Sequence, residues 1–239
     1  CKGMIMMRKS IFVFIMFLFF FAVRAEVFTL WPYSGGGSVL SSKVDSIPGI
    51  DREILLIEPM IVNGVRLKLE VRRIDSTFDN LILFLKGNFD PKELRAAGDT
   101  IRVAYKTGEN QVERWLIVNS GDGKPLTMFC ITSPLKLPGP GEWPASLPPL
   151  PVGAKAVQVV EFPGRKAVYG SFENSGNSPE QLLRNTSDFL RSRGWQAAGN
   201  EADPSIQGNG DLFLRANPRE LMWVSYGAAG NGACYTRPY

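Results

Sequence analysis

The sequence of 239 residues predicts an α+β fold: two small antiparallel sheets, each covered by one helix, arranged as a tandem duplication behind a signal peptide. Three observations predict it. Runs that alternate apolar and polar residues recur on both sides of a proline-rich stretch. A helix can be placed among the strands of each half. The closing run of each half ends in the same Cys-x-Thr-x-Pro pattern, "CITSP" at Cys130 to Pro134 and "CYTRP" at Cys234 to Pro238.

At the amino-terminal side, Arg8 and Lys9 precede the apolar run Ile11 to Val23, and Arg24 and Ala25 follow before Glu26. A basic region, an apolar core and a small-residue cleavage site predict a secretory signal peptide over 1–25. Thirteen apolar residues in a helix span about 20 Å, short of a hydrocarbon core of about 30 Å, so the alternative of an uncleaved anchor is the weaker one. Cys1 precedes the apolar run and is given no role. Four of the 27 basic residues and none of the 23 acidic ones lie in this segment, so cleavage leaves 23 against 23 and a neutral chain. Without a basic face to displace counterions, nucleic acid is not expected as a partner.

The first module is expected over 26–133. "VRLKLEVRRI" places Val65, Leu67, Leu69 and Val71 on one face and Arg66, Lys68, Glu70 and Arg72 on the other, the period of a half-buried strand. "DSTFDNLILFLKG" predicts a short helix capped by Ser76, with Phe78, Leu81, Ile82 and Leu85 on one side and Gly87 to end it. "TIRVAYKTG", "QVERWLIVNSG" and "LTMFCITSP" then predict strands separated by "TGEN" and "GDGKP" turns.

Residues 134–153 hold seven prolines, which remove amide donors and favour extended polyproline geometry; the segment is expected to be a semi-rigid linker, or alternatively a PxxP docking site. The second module, 154–239, opens with "KAVYGSFEN". "NSPEQLLRNTSDFLRSRGW" then predicts a helix with Ser178 as N-cap, Pro179 in the first turn, Gln181 completing a capping box, and Leu182, Leu183, Thr186, Phe189 and Leu190 on its apolar face. "DLFLRAN" and "ELMWVSYGAAGNGACYTRP" predict further strands. Trp115 before Cys130 and Trp223 before Cys234 add to the case for duplication, with a turn longer by four residues in the first half.

The segment "SPEQLLRNTSDFLRSRGW", with a strand before it and a hairpin after it, resembles a bacterial extracytoplasmic α+β module whose leucine-patterned helix ends in Gly-Trp. That resemblance implies a structural unit of envelope proteins and carries no catalytic residue.

The chain contains no histidine. This removes the usual general base, the Ser-His and Cys-His nucleophiles and most zinc or copper sites. "SGGGS" at Ser34 to Ser38 lacks the Lys-Ser/Thr of a phosphate loop, and no cofactor or metal motif is found. Carboxylates, among them Glu58, Glu70, Glu113, Glu161, Glu173 and Glu220, are scattered, and spacing alone brings no two together. Cys130 and Cys234 either close a disulfide, as export would permit, or sit as buried thiols at matching places. The expected function is a non-enzymatic binding or assembly protein of the cell envelope, periplasmic or extracellular, taking an envelope protein or copies of itself through exposed sheet edges. A small-molecule or glycan module using Trp31, Tyr33, Trp143 and Tyr239 is the alternative, and a hydrolase using carboxylates alone the third reading.

Overall fold

The computed structural model describes residues 43–119, 121, 125–173, 178–198, 210–226 and 231–238. The expected signal peptide, the Ser34 to Ser38 loop, Trp31, Tyr33 and Tyr239 lie outside them. Twelve strands are described: β1 (Ile50–Val62), β2 (Val65–Ile74), β3 (Leu94–Ala97), β4 (Thr100–Gly108), β5 (Gln111–Val118), β6 (Leu126–Pro134), β7 (Lys155–Phe162), β8 (Ala167–Glu173), β9 (Gln196–Ala197), β10 (Gly210–Arg215), β11 (Glu220–Tyr226) and β12 (Gly232–Pro238). They form one sheet in the order β3-β4-β5-β6-β2-β1-β7-β8-β12-β11-β10-β9, with two helices, α1 (Phe78–Asn88) and α2 (Pro179–Ser192). This corrects the expectation of two small sheets each covered by a helix. The difference lies in β1 and β7, two strands that the alternation of apolar and polar residues does not reveal.

The described chain divides into two compact units. One comprises 43–138 with Phe162–Gly164, the other Gly139–Glu161 and 165–238. In the first, β1 and β2 form a hairpin closed by Asn63 and Gly64, both at positive φ (49° and 81°), the geometry that a two-residue Asn-Gly turn supplies. β2 then pairs antiparallel with β6, and β6, β5, β4 and β3 follow as a meander. Thr77, not Ser76, caps α1 by accepting from the amide of Asn80, and the helix runs through Gly87 to Asn88. Leu81 and Leu85 are buried in the core beneath it, each such side chain contributing about 2 kcal/mol by its removal from water. Phe89, Tyr105 and Trp115 meet edge to face there, with ring centres 5.1 to 5.3 Å apart.

In the second unit α2 begins at Ser178, whose hydroxyl accepts from the amide of Gln181 at 3.3 Å, with Pro179 at the start of the helix. It ends in a Schellman motif. Gly194 stands at φ +82°, the Trp195 amide donates to the Leu190 carbonyl and the Gly194 amide to that of Arg191. Leu182, Thr186 and Leu190 are buried, whereas Leu183 and Phe189 of the expected apolar face are only half-buried. The proline-rich segment runs as irregular chain, and Leu147 and Pro148 are buried within it.

Each unit follows the same path: an irregular segment, a strand hairpin, a helix, then four strands. The sheet order β3-β4-β5-β6-β2-β1 of the first is matched by β9-β10-β11-β12-β8-β7 in the second. The outermost strands are short, four residues in β3 and two in β9.

Candidate functional site

The two cysteines set the register for comparing the units. Cys130 on β6 stands opposite Glu70 of β2 and Trp115 of β5, and Cys234 on β12 stands opposite Gly170 of β8 and Val224 of β11. Trp115 therefore corresponds to Val224, not to Trp223. A displacement of one residue turns a strand side chain to the other face of the sheet, so the tryptophan match in the sequence does not hold in space, although the cysteine match does. From this register Lys68, Glu70 and Arg72 correspond to Val168, Gly170 and Phe172, and Tyr105 and Glu113 to Phe213 and Met222.

In the first unit these positions line an open cleft of about 240 Å³, bounded by Val44, Asp45, Lys68, Glu70, Arg72, Glu113, Cys130 and Thr132. Lys68 Nζ lies 2.6 Å from Glu70 Oε1, and Arg72 reaches Glu70 Oε2 at 3.2 Å and Asp45 at 3.6 Å. Deeper in, Glu113 is buried and its Oε1 accepts from the Tyr105 hydroxyl at 2.6 Å and from Trp115 Nε1 at 2.7 Å. Burial pushes the Glu70 carboxyl up, but hydrogen bonds from Lys68 and Arg72 and their positive charges outweigh this and hold it below its ordinary value. Two of the carboxylates that the sequence leaves scattered, Glu70 and Glu113, are thus brought to one cleft. Arg72 Nε is buried with no protein acceptor.

Cys130 lines this cleft; burial, reinforced by the Glu113 and Glu70 charges, pushes its thiol far above the ordinary range. Cys234 is fully buried in the core of the second unit, and burial pushes it up to about 12. Both are free thiols in the structure. At neutral pH neither supplies a thiolate, which is the form that attacks or binds metal. Among the described residues no group of three His, Cys, Asp or Glu is placed to hold a metal ion.

The second unit fills the corresponding place with its own chain. Trp143 and Leu147, from the proline-rich segment, press on Gly170: a β-carbon there would lie 2.5 Å from Trp143 Cη2 and 2.7 Å from Leu147 Cδ1. Trp143 also packs edge to face on Phe172 at 5.9 Å and donates from Nε1 to the Pro148 carbonyl at 2.8 Å. Of the four aromatics proposed for binding, Trp143 is the one within the described residues, and it serves the packing of its own unit.

The same segment passes beside α2 and leaves a second opening of about 310 Å³, lined by Pro148 to Val152 and by Leu182, Asn185, Thr186 and Phe189. None of these side chains carries a charge. Thr186 shares a hydrogen bond with the buried Tyr226 hydroxyl, whereas Asn185 is exposed. Val152, at the rim, is 94% exposed.

No protein-family model, no curated protein and no solved structure matches this chain. The sequence hides the charged cleft because Lys68, Glu70 and Arg72 have the spacing of an ordinary solvated strand face. The available signal was the Cys-x-Thr-x-Pro pair itself: laid on each other, the two closing strands set charged residues of one hairpin against apolar ones of the other.

Proposed function

We propose that the chain is a non-catalytic binding protein of the bacterial cell envelope, exported by its leader, and that it takes an extended apolar segment of a partner protein in the groove beside α2. The groove is the observation that carries this reading. Its walls hold no charge to pair with an ionic ligand, Pro149 and Val152 expose apolar groups at it, and the exposed Asn185 amide offers the donor and acceptor that a peptide unit needs. Strand addition at the sheet edges has less support, because the outermost strands are only four and two residues long. The hydrolase reading also has less support: a carboxylate-only glycosidase needs one carboxyl raised to hold a proton, and Glu70 is shifted the other way.

A photo-crosslinking residue placed at Asn185 in the full chain, expressed in a bacterium that exports it, tests the proposal. The expected result is one discrete adduct, lost when the rim is changed by Val152→Glu and absent when the crosslinker sits at the exposed Lys86 of α1. An adduct of twice the chain mass would replace the partner with a second copy. Equal labelling from positions 185 and 86, or none from either, would overturn it.

A further inference from the structure

We propose that the charged cleft of the first unit is a subsite for a single neutral sugar ring. The site is distinct from the groove beside α2. Space comes first. The fold makes the same opening in both units, and the second closes it with Trp143 and Leu147 over Gly170. In the first, the corresponding segment contributes Val44 and Ile47 to the core and places Asp45 at the mouth, which leaves about 240 Å³ open. That is below the roughly 300–1,000 Å³ of pockets for drug-sized molecules, so one ring fits better than a bound chain of them.

The wall chemistry selects the class. Lys68, Glu70, Arg72 and Asp45 form a line of alternating charges already paired at 2.6, 3.2 and 3.6 Å. A free anion or cation would have to displace one of these partners. A hydroxyl group does not: it donates to a carboxylate oxygen and accepts from guanidinium or ammonium at the same time, and adjacent hydroxyls on a ring repeat that pattern. Thr132, exposed at the opening, adds a group of the same kind. The Arg72 guanidinium, whose terminal nitrogens hold Glu70 and Asp45 at the wall of the cleft, supplies the donors for a ring hydroxyl.

Trp115 supplies the readout, since its Nε1 is bonded to Glu113 at the base of the cleft. The indole N–H resonance of Trp115 would be followed while the full chain is titrated with methyl glycosides of neutral hexoses and N-acetylhexosamines, with the corresponding hexasaccharides, with inorganic phosphate and with putrescine. A saturable shift with at least one neutral sugar is expected, weakened about tenfold by Arg72→Lys and abolished by Thr132→Trp, which fills the opening as Trp143 does in the second unit. Equal affinity per ring for glycoside and hexasaccharide marks a free-sugar site, and binding of the hexasaccharide alone marks a glycan chain; either supports the class. Asp45→Asn, at a side chain 92% exposed, is the second variant should Thr132→Trp fail to fold, and it too should weaken binding. No saturable shift with any neutral sugar, a shift only with phosphate or putrescine, or binding that survives these substitutions would overturn the proposal.

Discussion

Where the first unit has Lys68, Glu70, Arg72, Tyr105 and Glu113, the second has Val168, Gly170, Phe172, Phe213 and Met222, on strands that run in the same order around the same closing cysteine. The first keeps a charged opening; the second packs its own preceding segment into that place. One backbone plan therefore tolerates both. Opposite the cysteine the second unit has Gly170, against which the indole of Trp143 packs, and the first has Glu70.

Exchanging that residue is the strongest way to break the comparison. Gly170→Glu would set a β-carbon against Trp143 and Leu147 and bury a charge, and a loss of about 3 kcal/mol or more is expected in urea unfolding, with Trp143 emission shifted to the red. A loss below about 1 kcal/mol would mean that the segment does not depend on Gly170. In the first unit, Trp115→Phe removes the indole hydrogen bond to the buried Glu113 carboxylate; about 2 kcal/mol should be lost by the same measurement, with no such bond to lose at Val224.

The helices extend the comparison to smaller effects. Ser178→Ala should cost about 1 kcal/mol, and Thr77→Ala somewhat less because threonine is the weaker cap, both followed by thermal unfolding. Leu83→Glu on α1 should change stability by no more than about 0.5 kcal/mol, since Leu83 is 69% exposed; a larger loss would reveal that this side of the helix is covered.

What the sequence made legible follows physical lines. β2 alternates over most of its length, and the limits of β2, β4 and β6, 65–74, 100–108 and 126–134, are those expected from the sequence. α2 was legible because Ser178, Pro179 and Gly194 are local signals whose geometry depends on a few neighbouring residues. β1 was not. "IDREILLIEPMIV" has three charged residues in succession after Ile50, then runs largely apolar with Glu58 and Pro59 inside, so neither period emerges, and its strand state is set by pairing with β2. The cleft escaped for a related reason. Alternation separates two faces of β2 but does not tell what lies over each; Glu70 and Arg72, read as a water-facing stripe, are largely buried among one another.

The four-residue β3 and two-residue β9 that bound the ladder bear on how the protein behaves when crowded. A long bare edge would let one molecule extend the sheet of the next, copy after copy, whereas these stubs offer few backbone groups to pair, and β3 adds the charge of Arg95. About half of the described residues are strand, and end strands this short limit what they can add through the backbone, which leaves association to be selected more by side chains.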